Sequence, residues 1–344
     1  MSGARMSDAQ GSDARVSGAP MGRMVVACTM TFPAEAERLL AEGVAPHELA
    51  MPAARSAENL AVVGRDPVVL GADVVFGQPH PDDVCAAPRL RWVHLSTAGY
   101  TRYDVAAVRA ALAARGAVLT TSSGVYADPC AEHALAFLLA ASRRLPECLE
   151  NQLGPRGWPD AKVRSRSALL RGRRVLLLGF GAIGRRLAAL LAPFEVELCI
   201  LRARPRGDEP GRVVGPEALD DAFAWADHVV SSLPAAEGTR GLVSRALLAR
   251  MRPDAWFFNV GRGATVDQAA LLEALEARRL AGAYLDVTDP EPLPPDHPLW
   301  RAPGCYVTPH AAGGRREEPL AQVEHFLANL RRFERGEPLE DRVI

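Results

Sequence analysis

Residues 173–206 read RRVLLLGFGAIGRRLAALLAPFEVELCILRARPR. An apolar run, RVLLL, leads into three glycines with the spacing Gly-x-Gly-x-x-Gly, and an amphipathic segment continues from them without a break. A second apolar run, VELCIL, follows. A strand that enters a helix through this glycine spacing and is followed by another strand is the dinucleotide-binding unit of doubly wound α/β proteins. The stretch therefore predicts an α/β fold with a nucleotide site at this turn.

Each of the three glycines has its own physical role in such a turn. Gly179 permits the tight turn, Gly181 lets the backbone approach a pyrophosphate, and Gly184 lets the helix pack closely on the strand. The pyrophosphate is then bound by N–H groups at the positive end of the helix. The alternative is a βα turn that is merely rich in glycine, which the complete strand–helix–strand context disfavours.

The residues at the end of the second strand bear on the choice of cofactor. An acidic residue about 20 positions beyond the glycines binds the ribose hydroxyls of NAD. This sequence has Arg202, Arg204 and Arg206 there, and guanidinium groups pair instead with the 2′-phosphate of NADP. We therefore expect NADP(H) to be favoured over NAD(H). The alternative is that the arginines form a solvated loop and that Asp208 or Glu209 folds back onto the ribose.

On both sides of this stretch, short apolar runs alternate with segments of helical periodicity, from MVVACTM near the N-terminus onward. This alternation indicates parallel sheets covered by helices, and strands that are apolar throughout indicate burial on both faces. In DPCAEHALAFLLAAS, we expect Asp128 to cap a helix with Pro129 in its first position. We interpret it as a long helix that connects two domains.

The length of 344 residues corresponds to about two domains. The order of the motifs predicts two doubly wound parallel-sheet (Rossmann-like) domains with a cleft between them. Residues 24–122 would form a substrate domain to which residues 315–344 return, and residues 123–314 a dinucleotide-binding domain. Residues 1–23, rich in Ser, Gly, Ala, Arg and Asp, are expected to be a flexible tail.

Composition excludes several classes of function. A net charge of −1 offers no overall attraction for nucleic acid or an anionic membrane. The longest wholly apolar run, ALAFLLAA, is far shorter than the roughly 20 residues of a membrane span. The 6 cysteines form no CxxC pair, which favours reduced thiols in a cytosolic protein over a zinc or disulfide framework. We expect a cytoplasmic protein without metal.

Four segments further along each end a short apolar run in a polar loop: SSLPAAEGTRGLV, FFNVGRGATVDQAALLEAL, AGAYLDVTDPEPLPPDHPLW and VTPHAAGG. Their loops supply Arg262, Glu291 and His310, at the strand ends where α/β sheets bind ligands. A carbonyl reduction needs a group that orients the charge of the substrate, a proton donor, and a partner that keeps the donor protonated. A carboxylate beside a histidine stabilises its cation. Any one of these residues alone would more often be a solvated charge, so the prediction rests on their joint appearance.

The motifs NVGRG, LDV…EPLP…HPLW and TPH, in this order after the glycine turn, resemble those of the D-isomer-specific 2-hydroxyacid dehydrogenases. The resemblance extends from about Val25 to the C-terminus. It implies hydride transfer between a nicotinamide and a 2-oxo acid/D-2-hydroxy acid pair. It also implies a homodimer formed through the cofactor domain and the helix around residues 128–149.

The resemblance assigns roles to individual residues. His310 would protonate the carbonyl oxygen and act as the base in reverse, Glu291 would orient His310, and Arg262 would bind the carboxylate and keto oxygens of the substrate. The backbone N–H groups of Ala98 and Gly99 would bind the substrate carboxylate.

Further positions would bind the cofactor. Asp286 would hydrogen-bond the nicotinamide carboxamide. The other implied cofactor positions are Gly179, Gly181, Ala182, Ile183, Gly184, Arg202, Arg204, Leu233, Pro234, Thr239, Val260 and Gly313. The remaining histidines of interest, His80, His94, His133 and His297, are expected to be structural.

The function expected from all this is NADPH-dependent reduction of a small 2-oxo acid of the glyoxylate or hydroxypyruvate kind. One alternative is an NAD-dependent dehydrogenase of a D-2-hydroxy acid or a 3-phosphoglycerate-like substrate. Another is a dinucleotide-sensing, corepressor-like binding protein, which would have no chemical need for Arg262, Glu291 and His310 together.

Overall fold

The computed structural model describes residues 22–59, 61, 63–202 and 204–344. The predicted tail therefore lies outside the described residues, except for Gly22 and Arg23. The chain divides into two compact units. The first comprises residues up to Val125 together with Glu317–Ile344, and the second comprises Tyr126–Arg316. The first unit is thus assembled from two separate parts of the chain, and the second is continuous.

The helices and strands of these ranges are numbered in chain order. The strands are β1 (Val25–Cys28), β2 (Glu48–Ala50), β3 (Val74–Gly77), β4 (Trp92–Leu95), β5 (Val118–Thr120), β6 (Arg174–Leu178), β7 (Glu197–Leu201), β8 (Arg212–Val214), β9 (His228–Ser231), β10 (Trp256–Asn259), β11 (Gly282–Leu285) and β12 (Cys305–Val307). The α-helices are α1 (Ala34–Val44), α2 (Pro67–Leu70), α3 (Pro81–Ala86), α4 (Ala106–Arg115), α5 (Ser123–Ser142), α6 (Leu145–Leu153), α7 (Asp160–Arg166), α8 (Ala182–Leu191), α9 (Leu219–Trp225), α10 (Arg245–Arg250), α11 (Gln268–Glu276) and α12 (Glu318–Glu334). Short 3-10 helices lie at Ala192–Phe194, Pro216–Ala218, Glu237–Thr239, Gly263–Thr265 and Pro298–Arg301.

The first unit is built on a five-stranded parallel sheet in the order β2-β1-β3-β4-β5. On one face, Phe326 and Phe333 of α12 stack on Trp92 of β4, with ring centroids 5.3 Å apart in each pair. On the other face, Val108 and Leu112 of α4 are buried in a second apolar cluster. Both faces of the sheet are covered, which explains why β3 and β4 are buried at every position.

The second unit is built on a seven-stranded parallel sheet in the order β12-β11-β10-β9-β6-β7-β8. Helices α9, α10 and α11 contribute to the core on one face, and α5 and α8 to the core on the other. The strand order reverses between β6 and β9. The loops that leave the carboxyl ends of these two strands therefore lie at the switch point where sheets of this kind bind ligands. The predicted fold class of two doubly wound parallel sheets is confirmed.

The predicted start of the connecting helix was wrong. Helix α5 begins at Ser123, and Pro129 lies inside it. Proline removes one backbone hydrogen bond and strains the preceding turn, but α5 buries Ala131, Ala134 and Leu138 completely in the second core, and this packing favours the continuous helix. The Asp128 side chain, which was expected to cap the helix, pairs with Arg186 of α8 instead.

No helix within the described ranges is both long enough and apolar enough to cross a membrane.

Candidate active site

The glycine turn follows β6 directly and opens α8. Gly179 has φ of 97°, a left-handed conformation that favours glycine. A Cβ at Gly184 would lie 2.5 Å from the carbonyl oxygen of Gly179, so helix and turn touch there. A Cβ at Gly181 would meet no described atom within 4 Å. The turn is thus open at Gly181, where the first N–H groups of a ten-residue helix begin, starting with Ala182 and Ile183. Such a cradle fits the pyrophosphate of a dinucleotide.

The loop after β9 lies against this turn. A Cβ on Gly179 would lie 3.3 Å from the side chain of Leu233, which is buried. The Thr239 hydroxyl donates to the carbonyl oxygen of Pro234 at 2.6 Å and accepts the N–H of Ala236 at 2.9 Å, which closes the loop. Val260, at the end of the neighbouring strand β10, is buried as well. The structure therefore gathers these predicted cofactor positions at the switch point of the sheet.

Arg202, directly after β7, is paired with acidic residues. Its Nη1 donates to Asp208 at 3.0 Å and to Glu209 at 2.5 Å. The side chain of Arg202 is 13% exposed and that of Glu209 only 2% exposed. Arg204 is exposed. The arginine that would pair with a 2′-phosphate and the carboxylates that would bind the ribose of NAD are therefore bonded to each other in one charged cluster.

His310 and Glu291 form a hydrogen bond in the loops after β12 and β11. The Nδ1 atom of His310 lies 2.8 Å from Oε2 of Glu291, and the N–H of Thr288 donates to Oε1 at 2.8 Å. The bond to Glu291 raises the pKa of His310, against the opposing effects of burial and of the Arg262 charge. Burial acts to raise the pKa of Glu291, but the bonds from His310 and Thr288 hold it below its usual value. This pair is therefore suited to hold a proton on the imidazole.

Arg262 lies in the loop after β10, which Asn259 fixes through two hydrogen bonds. The Asn259 amide donates to the carbonyl oxygen of Arg262 at 3.1 Å and accepts the N–H of Gly261 at 3.0 Å. Thr265 donates to the same carbonyl oxygen of Arg262 at 2.7 Å. The charge of Arg262 acts to lower the pKa values of both Glu291 and His310, after the larger effects of burial and hydrogen bonding. Asn259 was not among the residues predicted from the sequence, although a buried polar residue that ends an apolar strand is a signal for such a role.

Asp286 directly follows β11, and its contacts give it a role that was not predicted from the sequence. Asp286 is 3% exposed, and its carboxylate accepts hydrogen bonds from the Thr308 hydroxyl at 2.6 Å, the N–H of Ala311 at 2.8 Å and the N–H of Ala312 at 3.0 Å. Its carbonyl oxygen accepts the N–H of His310 at 2.9 Å. Asp286 thus fixes the loop that carries His310, which itself has a φ of 51°.

Helix α5 supports the same loop. The Nε2 atom of His133 lies 3.2 Å from the Thr308 hydroxyl and 3.7 Å from a carboxylate oxygen of Asp286. A Cβ on Gly313 would lie 2.9 Å from the ring of Tyr126, so the loop packs on the helix there. His133 therefore contacts residues that fix the loop of His310, which its expected structural role did not imply.

Ala98 and Gly99 belong to the first unit and follow β4. The Thr97 hydroxyl donates to the carbonyl oxygen of Gly99 at 2.7 Å, and the amide of Gln78 donates to the same hydroxyl at 3.1 Å. Both Thr97 and Gln78 are buried, so the loop has a fixed backbone, and Ala98 and Gly99 remain half-buried at its surface. Arg262, Glu291, His310 and Asp286 all belong to the second unit.

The remaining histidines of interest have local partners. His94 is completely buried, and its Nδ1 atom lies 2.7 Å from the hydroxyl of Thr120. Burial lowers the pKa of His94 well below its usual value. His80 and His297 each accept a backbone N–H at the start of a short helix. Among the residues described, no group of three or more His, Cys, Asp or Glu side chains is placed to hold a metal ion.

Known proteins resemble this chain in sequence and in structure. Residues 135–312 match the family described as D-isomer specific 2-hydroxyacid dehydrogenase, NAD binding domain. A glyoxylate reductase from Aeropyrum pernix is 34% identical over 263 residues, which make up 74% of this chain and 76% of that protein. A D-isomer specific 2-hydroxyacid dehydrogenase from Xanthobacter autotrophicus Py2, solved with NADPH and MES, has a TM-score of 0.77 at 26% identity and covers 94% of this chain and 98% of its own. An NADPH-dependent glyoxylate/hydroxypyruvate reductase from Sinorhizobium meliloti, solved with NADP and malonate, has a TM-score of 0.69 at 26% identity and covers 94% of this chain and 97% of its own.

Proposed function

This chain belongs to the D-isomer specific 2-hydroxyacid dehydrogenase family, and on that premise we propose that it reduces a small 2-oxo acid, of the glyoxylate or hydroxypyruvate kind, to the D-2-hydroxy acid with NADPH. Membership in the family makes it an NAD(P)-dependent oxidoreductase that acts on CH–OH groups. The observation that carries the proposal is the 2.8 Å hydrogen bond between His310 and Glu291. Arg262 lies in electrostatic reach of both residues.

The proposed chemistry follows from this arrangement. A bound nicotinamide cofactor supplies the hydride for carbonyl reduction. Glu291 holds Nδ1 of His310, so Nε2 is the atom that donates a proton to the carbonyl oxygen of the substrate. The Glu291 anion favours the imidazolium and keeps this proton donor loaded near neutral pH. In the oxidation direction, neutral His310 removes the proton from the hydroxyl group.

Two groups are proposed to bind the substrate. The guanidinium of Arg262 pairs with the carboxylate and keto oxygens, which fixes the orientation of the acid and polarises the carbonyl. The backbone N–H groups of Ala98 and Gly99 bind the carboxylate, because the fixed loop after β4 presents them at its surface. Both kinds of contact select for a 2-oxo acid over a simple ketone.

The preference for NADPH is proposed from the arginines after β7. Arg202 is directly at the strand end where a 2′-phosphate is bound in sheets of this type. Two solved neighbours of this chain contain NADPH or NADP. The second candidate, an NAD-dependent dehydrogenase, is favoured by one observation: Asp208 and Glu209 already pair with Arg202.

The test is oxidation of NADPH and NADH, followed at the absorbance of the reduced nicotinamide, with glyoxylate, hydroxypyruvate, pyruvate and phosphohydroxypyruvate. We expect the highest kcat/KM with NADPH and one of the first two acids. Higher kcat/KM with NADH would overturn the NADPH preference, and highest activity on phosphohydroxypyruvate would overturn the substrate class. If neither cofactor were oxidised with any acid, the enzyme proposal would fail and the sensor alternative would replace it.

We also propose a homodimer formed in part by α6. Leu145, Leu149 and Leu153 are spaced by four residues along one face of this helix, and their exposed fractions are 50%, 58% and 81%. Trp158 follows with 92% exposure, and Leu153 and Trp158 line the same cavity of about 940 Å³. Contiguous exposed apolar surface of this kind marks an interaction site.

The test of the dimer is its mass in solution by light scattering. Wild type is expected to be a dimer, and Leu149→Glu with Leu153→Glu a monomer. A monomeric wild type would overturn the proposal. The cytoplasmic location expected from the sequence also stays a proposal, which cell fractionation tests.

A further inference from the structure

Two arginines flank the ring at the centre of the glycine turn. The guanidinium carbon of Arg185, in the first turn of α8, lies 5.0 Å from the centroid of the Phe180 ring, and that of Arg202 lies 5.8 Å from it. Phe180 lies between Gly179 and Gly181 in the chain and is buried, with 7% of its surface exposed. Both cations are therefore attached to the turn that forms the proposed nucleotide site. We call Arg185 and Arg202 the arginine pair.

Asp208 bridges the arginine pair. Its Oδ2 accepts a hydrogen bond from Arg185, and its Oδ1 accepts one from Arg202 at 3.0 Å. Desolvation acts to raise the pKa of Asp208, but the bond and charge of Arg185 and the charge of Arg202 hold it below its usual value. Asp208 is therefore an anion at neutral pH. Its side chain is 48% exposed, so it has room to turn toward solvent.

The adjacent carboxylate, Glu209, is placed differently. It is 2% exposed and accepts the backbone N–H groups of Arg206 at 3.0 Å and Gly207 at 2.9 Å in addition to the bond from Arg202. Glu209 thus belongs to the fold of the turn itself. Asp208 is at the surface, and its bonded partners are the two guanidinium groups that an incoming anion would require.

We propose that Asp208 determines how strongly this site prefers NADP, because its carboxylate competes with the 2′-phosphate for the arginine pair. The inference rests on the proposed function, since it takes the glycine turn as the cofactor site. Carboxylate and phosphate are both recognised by the donor fork of a guanidinium. Their like charges prevent both from sharing the same two cations closely. Asp208 therefore weakens the binding of a 2′-phosphorylated nucleotide and leaves the unphosphorylated nucleotide nearly unaffected.

The test uses two ligands that differ only in the 2′-phosphate, adenosine 2′,5′-bisphosphate and 5′-AMP, in calorimetric titrations of the full chain. With Asp208→Asn we expect affinity for the bisphosphate to rise about tenfold, which corresponds to about 1.4 kcal/mol. Affinity for 5′-AMP should change by less than about twofold, since 5′-AMP has no 2′-phosphate to pair with the arginine pair. An equal change for both ligands, or no gain for the bisphosphate, would overturn the inference.

Two further variants separate this effect from a general change of charge. Glu273 is an exposed carboxylate paired with Arg245 on other helices of the same unit, so Glu273→Gln removes the same charge elsewhere and should leave both affinities unchanged. In an Arg202→Gln background, the gain from Asp208→Asn should fall to less than about twofold, as expected for coupled residues. A full gain in that background, or an equal gain in Glu273→Gln, would contradict the competition.

The failure of this inference is distinguishable from the failure of the proposed function. If wild type oxidises NADPH with a 2-oxo acid but Asp208→Asn leaves the affinity for the bisphosphate unchanged, the proposed function stands and the inference about Asp208 fails. If wild type binds neither nucleotide fragment and oxidises neither reduced cofactor, the proposed function and the inference both fail.

Discussion

The Nδ1 atom of His310 lies 2.8 Å from Oε2 of Glu291, while Oε1 of the same carboxylate accepts the N–H of Thr288 at 2.8 Å. Glu291 is thus held at both oxygens, and it holds the imidazole by one nitrogen. Because Nδ1 is engaged, the ring has a defined orientation, and Nε2 is the nitrogen that we propose contacts the substrate. The two loops involved leave adjacent strands, β11 and β12, at the same edge of the sheet.

Replacing His310 with alanine is expected to lower kcat about 100- to 10,000-fold, the range for loss of a general acid. Binding of adenosine 2′,5′-bisphosphate should remain within about twofold, because His310 is proposed to act on the substrate and not on the nucleotide. Steady-state kinetics and calorimetry give the two values. His297→Asn is the matched control, since His297 accepts the N–H of Leu299 at the start of a 3-10 helix. Substantial turnover by His310→Ala would remove this residue from its role.

Glu291→Gln is expected to shift the pH dependence of the reaction to lower pH. Reduction requires protonated His310, so its rate falls as pH rises through the pKa of His310, which Glu291 raises. Without the carboxylate charge, that pKa should return toward the ordinary value of about 6.5, and the fall should begin at lower pH. Oxidation requires neutral His310, so its rise with pH should move in the same direction. Profiles of kcat/KM in both directions that match wild type would contradict the role of Glu291.

Asp286→Asn is expected to lower both kcat and stability. The carboxylate accepts two backbone N–H groups and one hydroxyl, and weakening them should cost about 1–3 kcal/mol in the free energy of unfolding. The loop of His310 should then lose its fixed position. Asp227→Asn is the control, because buried Asp227 pairs with Arg174 at the amino ends of the strands. It should lose stability in urea unfolding while kcat stays within about twofold; a similar loss of kcat in both variants would show that Asp286 has no special role.

Asn259→Ala is expected to raise KM for the 2-oxo acid about tenfold, because the loop of Arg262 loses the amide that fixes it through two hydrogen bonds. KM for the nicotinamide nucleotide should change much less. Asn151 closes a different loop in the same way, through the N–H and carbonyl oxygen of Gly157. Asn151→Ala should therefore leave both constants unchanged. If KM rose equally for acid and nucleotide in Asn259→Ala, a general loss of structure would explain the result better.

The sequence was sufficient for the fold class because its signals were local. The glycine turn, its flanking strands and the uniformly apolar runs lie close together in the chain, and the predicted doubly wound sheets are confirmed. The start of α5 was predicted wrongly because a strong local signal, Asp128 before Pro129, was outweighed by packing of Ala131, Ala134 and Leu138 in the core. That packing depends on residues far away in the sequence.

The site was predictable in its residue types and less so in its partners. Arg262, Glu291 and His310 come from motifs, and the structure places the last two in direct contact. The bonds from Asp286 to the backbone of the His310 loop and the bridge of Asp208 between two arginines depend on three-dimensional proximity. No spacing in the sequence predicts such contacts. The cofactor and substrate roles stay predictions.

The interleaved order of the two units has a consequence for synthesis on the ribosome. The second unit is one continuous stretch, Tyr126–Arg316, whereas the sheet of the first unit awaits α12. Until α12 has been translated, Trp92 lacks Phe326 and Phe333, and the part of that sheet face that α1 does not cover is open to water or to other chains. The unit that begins first therefore finishes last. We therefore expect a nascent chain of this protein to expose that apolar surface for the whole time in which residues 126–316 are being made.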